Sequence, residues 1–180
     1  SSSPHMLHHG LKFALVRSDK STKNIKRPDV QLAHFAVHLE FVRRFGALPA
    51  WLPEAISYGL QDALVGEVYG YSNRGWEKLT SDYHAEWREQ TADLFAANTP
   101  ELQSLISGIN TPFEQSRAYG QFAFGLWLLQ LEPGTLGKLS ASIAGQVGGR
   151  VAPGVQTGLL GDQQVQLVEA SLGANPMSKA

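Results

Sequence analysis

Residues 32–40 read Leu-Ala-His-Phe-Ala-Val-His-Leu-Glu, and this stretch decides how the first half of the chain folds. Pro28 precedes it as a helix start and Gly46 follows it as a helix stop, so the sequence predicts a helix between these two residues. The apolar face of this helix is predicted to comprise Leu32, Phe35, Leu39 and Val42. His34 and His38 are four residues apart and project from one helix face, close enough to bind a single zinc ion through their ring nitrogens. The same spacing also suits two half-buried histidines that hydrogen-bond to backbone or water.

The second informative stretch, residues 48–58, reads Leu-Pro-Ala-Trp-Leu-Pro-Glu-Ala-Ile-Ser-Tyr. With the two histidines before it, it resembles the gluzincin zinc metallopeptidases, particularly the bacterial peptidase MA-like families. In those families an HExxH helix is followed by a helix that opens with a phrase similar to P-x-W-L-x-E-G-x-A. The resemblance implies that the metal ligands are His34, His38 and Glu54, with a fourth position open for water. Two imidazoles and one carboxylate form a known catalytic zinc set.

Two positions depart from the family pattern. In an active member the residue after the first histidine is a glutamate, which takes a proton from the zinc-bound water, whereas this chain has Phe35. Gluzincins often have an acidic residue four positions after the third ligand, where it orients a histidine, and this chain has Tyr58. Asp62, one turn later, is an alternative orienting residue. Glu40 lies about 200° around the helix from His38, so we predict that it is a surface residue and not a displaced base.

A weaker match lies at residues 119–124, which read Tyr-Gly-Gln-Phe-Ala-Phe. They resemble a Y-x-Q-S-x-x phrase that opens a later apolar helix in these families, which makes Tyr119 a candidate site residue. The alternative is an ordinary tyrosine at the start of a core helix. The resemblance extends over about residues 28–131.

The fold class predicted from these patterns is mainly α, a gluzincin-like helical metallopeptidase domain. Further helices are expected at 53–65, 82–97, 100–109, 113–131, 135–146 and 162–172. One short strand is expected at 11–16, so at most a small remnant of the family's N-terminal β-sheet precedes the first helix. We expect one domain over residues 11–173, a cloning remnant and disordered start at 1–10, and a frayed tail at 174–180.

The composition narrows the classes of function. The 15 basic and 16 acidic side chains form no basic stripe or acidic tail, so nucleic acid and anionic membranes are poor partners. The absence of cysteine excludes disulfides, thiolate metal sites and cysteine nucleophiles. No run approaches the roughly 20 apolar residues of a membrane span, so no transmembrane segment is predicted. Composition leaves the compartment open, and the family resemblance points to an extracytoplasmic location in a bacterium.

Three functional hypotheses follow from the sequence. The first is a catalytically impaired zinc-metallopeptidase-like domain that keeps zinc and binds a peptide or protein. The second is an active zinc hydrolase with an unconventional base, supplied by the loop at 66–82. The third is a metal-free helical interaction domain in which His34, His38 and Glu54 form a hydrogen-bonded polar cluster.

Overall fold

The chain is mainly helical in a computed structural model that describes residues 5–8, 13–16, 28–46, 48–49, 51–68, 87–106, 115–132, 134–147 and 161–180. Within these ranges the strands are β1 (His5–His8) and β2 (Phe13–Val16). The helices are α1 (Pro28–Phe45), α2 (Trp51–Val65), α3 (Trp87–Ala97), α4 (Leu102–Ile106), α5 (Gln115–Gln130), α6 (Thr135–Val147), α7 (Gly161–Leu172) and a terminal 3-10 helix (Pro176–Lys179). The mainly α class predicted from the sequence is therefore confirmed. Among the described helices, none has both the length and the apolarity needed to cross a membrane.

The N-terminal strands form an antiparallel pair. His5 lies opposite Val16 and His8 lies opposite Phe13. We expected one strand at 11–16 and a disordered start at 1–10, whereas His5–His8 provide the second strand. A lone strand would leave its backbone N–H and C=O groups without hydrogen-bond partners. Strand β1 provides these partners for β2. Strand β2 in turn lies against α1.

Helices α1 and α2 both end where the sequence predicts. Gly46 and Gly66 adopt φ of 75°, the left-handed conformation that terminates a helix at little cost when no Cβ is present. The amide of Gly46 donates to the Val42 carbonyl, and the amide of Gly66 donates to the Asp62 carbonyl. Helices predicted later in the chain correspond to α3–α7, with boundaries that shift by a few residues. Most of the loop expected at 66–82, from residue 69 onward, lies outside the described residues.

The buried face of α1 differs from the predicted one. Leu32 is 54% exposed, and Leu39 and Val42 are only half-buried. The residues that this helix turns inward are Val30, His34, Val37, His38 and Phe41, together with Phe35. Because α1 packs against α2 on one side and β2 on another, the stripe centred on the histidines is the one covered. The two histidines are therefore part of the packed interior.

Helix α2 lies between α1 and α5 and is buried along most of its length. Its contact with α5 is unusually close: a Cβ added to Gly125 would stand 1.8 Å from the carbonyl oxygen of Ala55. A Cβ added to Gly59 would stand 3.0 Å from the backbone of Gly125. Only a residue without a side chain at position 125 allows the two helix backbones to approach in this way. The contact fixes α2 against α5 directly beside Glu54.

The residues that follow α7 pack in the hydrophobic core. The indole nitrogen of Trp51 donates a hydrogen bond of 2.8 Å to the amide oxygen of Gln164 on α7. After α7 the chain turns through Asn175, at φ 49°, into the 3-10 helix, where Met177 is 1% exposed. We expected residues 174–180 to be a frayed tail. They pack instead: Pro176 and Met177 are buried, and Met177 belongs to the main hydrophobic cluster.

Candidate metal centre

Three side chains predicted to bind metal converge between α1 and α2. The Nε2 atom of His34 lies 3.5 Å from Glu54 Oε2, and the Nε2 atom of His38 lies 3.4 Å from Glu54 Oε1. Each of the three residues offers one candidate ligand atom, and these three atoms all lie within 4.8 Å of one another. The histidines are 2% and 6% exposed, whereas the Glu54 side chain is 25% exposed. The three residues lie close enough to bind a metal ion, and Glu54 is the most exposed of them.

The distances between the candidate ligand atoms suit a tetrahedral ion. Ligand atoms at about 2.1 Å from a tetrahedral zinc ion are about 3.4 Å apart. Good N–H···O hydrogen bonds measure about 2.7–3.2 Å, which is shorter than both separations here. Glu54 Oε2 is also buried and receives no hydrogen bond from the part of the chain that the structure describes. A buried carboxylate oxygen normally has a partner, and a cation is one that suits this donor set.

The protonation states also suit metal binding. Burial is the main influence on His34 and lowers its pKa, against the opposing effect of Glu54. At Glu54 burial by itself would raise the pKa, but the nearby imidazoles of His34 and His38 outweigh it and hold the pKa well below its usual range. An imidazole that resists protonation and a carboxylate that stays ionised are the forms in which these groups bind a metal.

The position that the family resemblance assigns to a general base is occupied by an aromatic ring. Phe35 is buried, and its ring meets that of His34 edge to face at a centroid distance of 5.9 Å. On another side of the same histidine, Tyr58 lies with its ring centroid 5.8 Å away. Both contacts present carbon-rich surfaces to His34. The phenyl ring of Phe35 carries no group that can exchange a proton with a bound water.

Two nearby acids have arginine partners. Asp62 accepts hydrogen bonds of 3.1 Å and 2.5 Å from Arg88 of α3. It is therefore held by α3, and this hydrogen bonding does not support the alternative in which Asp62 replaces Tyr58 as the orienting residue. Glu40 accepts two hydrogen bonds of 2.7 Å from Arg43 and a third from Arg44, which together lower its pKa to about 2. The surface role predicted for Glu40 agrees with this arrangement.

Tyr119 belongs to an aromatic cluster that adjoins the site. This cluster consists of Tyr58, Val68, Trp87, Ala118, Tyr119 and Phe122. Trp87 meets both Tyr58 and Tyr119 at centroid distances of 5.1 Å. Tyr119 is thus joined to the candidate metal centre through Trp87 and Tyr58, and it packs as a core tyrosine does. The second hypothesis assigns an unconventional base to the loop at 66–82, and residues 69–82 of that loop lie outside the described residues.

Sequence reasoning missed two polar residues that join α2 to α1. Ser57 and Gln61 are both fully buried, and both donate to main-chain carbonyls of α1. Their signal in the sequence is a pair of polar residues four apart in an otherwise apolar stretch of α2. That pattern marks a buried polar contact but does not identify its partner.

Comparisons with known proteins add no relative. The chain matches no protein-family model, no curated protein and no solved structure.

Proposed function

We propose that this domain is a zinc-binding, gluzincin-like domain that lacks the general base of a peptidase. One observation carries the proposal: Glu54 faces both His34 and His38 from the neighbouring helix, at separations typical of ligands around one tetrahedral ion. The family resemblance of residues 48–58 supports zinc as the ion. The donor set of two imidazoles and one carboxylate agrees with that choice.

Each residue has a defined part in the proposed site. His34 and His38 provide imidazole nitrogens from the buried face of α1, and Glu54 provides a carboxylate oxygen from α2. A bound zinc ion would act as a Lewis acid that polarises a carbonyl or acidifies a water. A peptide or protein ligand would reach the centre from the side of Glu54, whose side chain is partly exposed.

We assign no peptidase activity in this proposal because no proton-transferring residue stands at the usual position of the general base. Phe35 cannot take a proton from water, and the carboxylates of Glu40 and Asp62 are engaged by arginines. Removal of a positioned general base typically lowers the rate by about 10²–10⁴-fold. The domain is therefore a metal-binding relative of a peptidase in this proposal, with ligand binding as its remaining activity.

Calorimetric titration of the metal-free protein with zinc tests the proposal. We expect one site per chain in the unmodified protein, and loss of that site in Glu54→Gln. Glu40→Gln is the matched control, because it removes a carboxylate from α1 that lies outside the ligand set. Absence of zinc binding by the unmodified protein, or unchanged binding by Glu54→Gln, would refute the proposed site. Zinc-dependent cleavage of casein by the unmodified protein would refute the assignment as inactive.

A further inference from the structure

Two side chains of α2 bind the backbone of α1 next to the metal centre. The hydroxyl of Ser57 has one proton, which it donates mainly to the carbonyl oxygen of Pro53 at 2.6 Å on its own helix and shares with the carbonyl oxygen of His34 at 3.3 Å. The amide nitrogen of Gln61 donates to the carbonyl oxygen of Val30 at 3.0 Å. Both side chains are fully buried. Most buried side chains between packed helices are apolar, so two polar contacts from α2 to the backbone of α1 at one junction indicate a specific role.

The two bonds and the metal ligands form one row. Ser57 and Gln61 are one turn apart on α2, and their acceptors on His34 and Val30 are one turn apart on α1 in the opposite direction. Glu54 continues the row by about one more turn of α2, where it meets His38. Residues separated by three, four or seven positions share a helix face, so all these groups lie along the same α1–α2 contact.

This row determines how far α2 is shifted along α1. A shift by one turn would move Gln61 away from the Val30 carbonyl and would carry Glu54 past the histidines. The close contact between Gly125 and Ala55 cannot supply this information, since it fixes α2 against α5 and not against α1. Apolar contacts between helices tolerate small displacements, whereas hydrogen bonds to particular carbonyls require particular distances.

We infer that Ser57 and Gln61 are positioning residues of the metal centre, which set the register of α2 on α1 so that Glu54 faces both histidines. This inference rests on the proposed zinc site for its functional meaning. A ligand that is misplaced along the helix by a fraction of a turn can no longer share an ion with its partners, so the residues that fix the register control metal affinity.

The test compares two glutamines that differ in location alone. Gln121 of α5 is also buried and donates its amide to a backbone carbonyl, that of Leu105, at 3.1 Å. Gln61→Met and Gln121→Met therefore each remove one buried inter-helix bond of the same kind. Zinc affinity is measured by competition with a chromophoric chelator, and stability of the metal-free forms by urea unfolding. We expect comparable losses of stability, but a 10- to 100-fold loss of zinc affinity, of the order seen when groups supporting metal ligands are removed, only for Gln61→Met. Equal zinc affinity in Gln61→Met and the unmodified protein would overturn the inference.

A second variant and a measurement made without metal distinguish failure of the positioning role from failure of the proposed zinc site. Ser57→Ala removes one hydroxyl with little change in volume, and it should lower zinc affinity in the same direction even if Gln61→Met does not fold. If the unmodified protein binds no zinc, the proposed function fails, and the register is then read by nuclear Overhauser contacts between the His38 ring and the Glu54 side chain. We expect these contacts in the unmodified protein and in Gln121→Met, and their loss in Gln61→Met or Ser57→Ala. Their persistence in the variants would overturn the positioning role independently of zinc.

Discussion

The α-carbon of Gly125 faces the carbonyl oxygen of Ala55 so closely that a Cβ at position 125 would stand 1.8 Å from that oxygen. The obstacle is backbone and not the movable end of a side chain, so α2 and α5 must separate to admit even a methyl group. Because Ala55 follows Glu54, this separation would act on the helix that carries the third candidate ligand.

We therefore expect Gly125→Ala to destabilise the domain by at least about 1–3 kcal/mol, the usual cost of overpacking, and to lower its zinc affinity. Urea unfolding of the metal-free protein measures the first effect. Gly145→Ala is the control, because a Cβ at that exposed helical position meets nothing within 4 Å. It should stabilise the domain by about 0.5–1 kcal/mol through the reduced entropy of the unfolded chain. Equal stability of Gly125→Ala and the unmodified protein would contradict the close crossing of α2 and α5.

Chelation should lower the melting temperature of zinc-loaded protein. A ligand that binds only the folded state stabilises it by mass action, by about 2.7 kcal/mol when its free concentration is 100 times Kd. His38→Ala should make the melting temperature insensitive to chelator, since it removes one of the three ligands. Glu40→Gln should keep the sensitivity. Identical melting curves of the zinc-loaded protein with and without chelator would favour the metal-free polar cluster.

Phe35→Glu is the substitution expected to create peptidase activity if any single change does. It restores a proton acceptor at the position after the first histidine and leaves all three ligands unchanged. The new carboxyl group enters a buried, ring-lined site, so a stability loss of about 1–3 kcal/mol should accompany it. The measurement is zinc-dependent cleavage of unstructured casein, with Phe35→Gln as the control of similar size that cannot act as a base. Equal cleavage by these two variants would show that position 35 has no part in proton transfer.

Acid should destabilise the metal-free domain, beginning near pH 6.5. Burial lowers the pKa of folded His34 below its ordinary value of 6.5, so below that pH the unfolded chain takes up this proton more readily than the folded one. The contribution of neutral His34 to the free energy of unfolding is fully present above about pH 6.5. It is lost as the pH falls through the lowered pKa of His34 in the folded state. Urea unfolding in the presence of chelator, from about pH 7.5 to about pH 5.5, measures the slope. The slope should be shallower in His34→Asn, and an equal slope in both proteins would argue against a buried neutral His34.

Local sequence signals predicted much of the fold. The ends of α1 and α2 were predictable because Gly46 and Gly66 adopt a conformation that glycine favours, and the neighbouring residues determine this locally. The convergence of Glu54 with the two histidines was predicted through the family resemblance, since no local rule brings two helices together. Three-dimensional packing accounts for the errors. Leu32 is exposed although it fits an apolar helical stripe, and the C-terminal segment is buried through Met177.

The positioning residues illustrate why part of the site could not be predicted. A hydrogen bond from Gln61 to a carbonyl 31 residues earlier depends on the relative placement of two helices. Every residue has a main-chain carbonyl that can accept a hydrogen bond, so the residue type does not show which carbonyl is the acceptor. Donors of this kind can be suspected from buried polar residues in an apolar helix, but only the structure identifies their partners.

The hydrogen bond from Trp51 to Gln164 spans 113 residues and joins the first turn of α2 to α7 near the end of the chain. During synthesis the two histidines and Glu54 leave the ribosome long before α7 does. The helix that presents Glu54 therefore gains one of its anchoring contacts only after the 113 residues that lead to Gln164 have been synthesised. Contacts of such long range form late because the intervening chain must first be ordered. On the function proposed above, the segment 34–54 that carries all three ligands is synthesised well before the partner that anchors the start of its second helix.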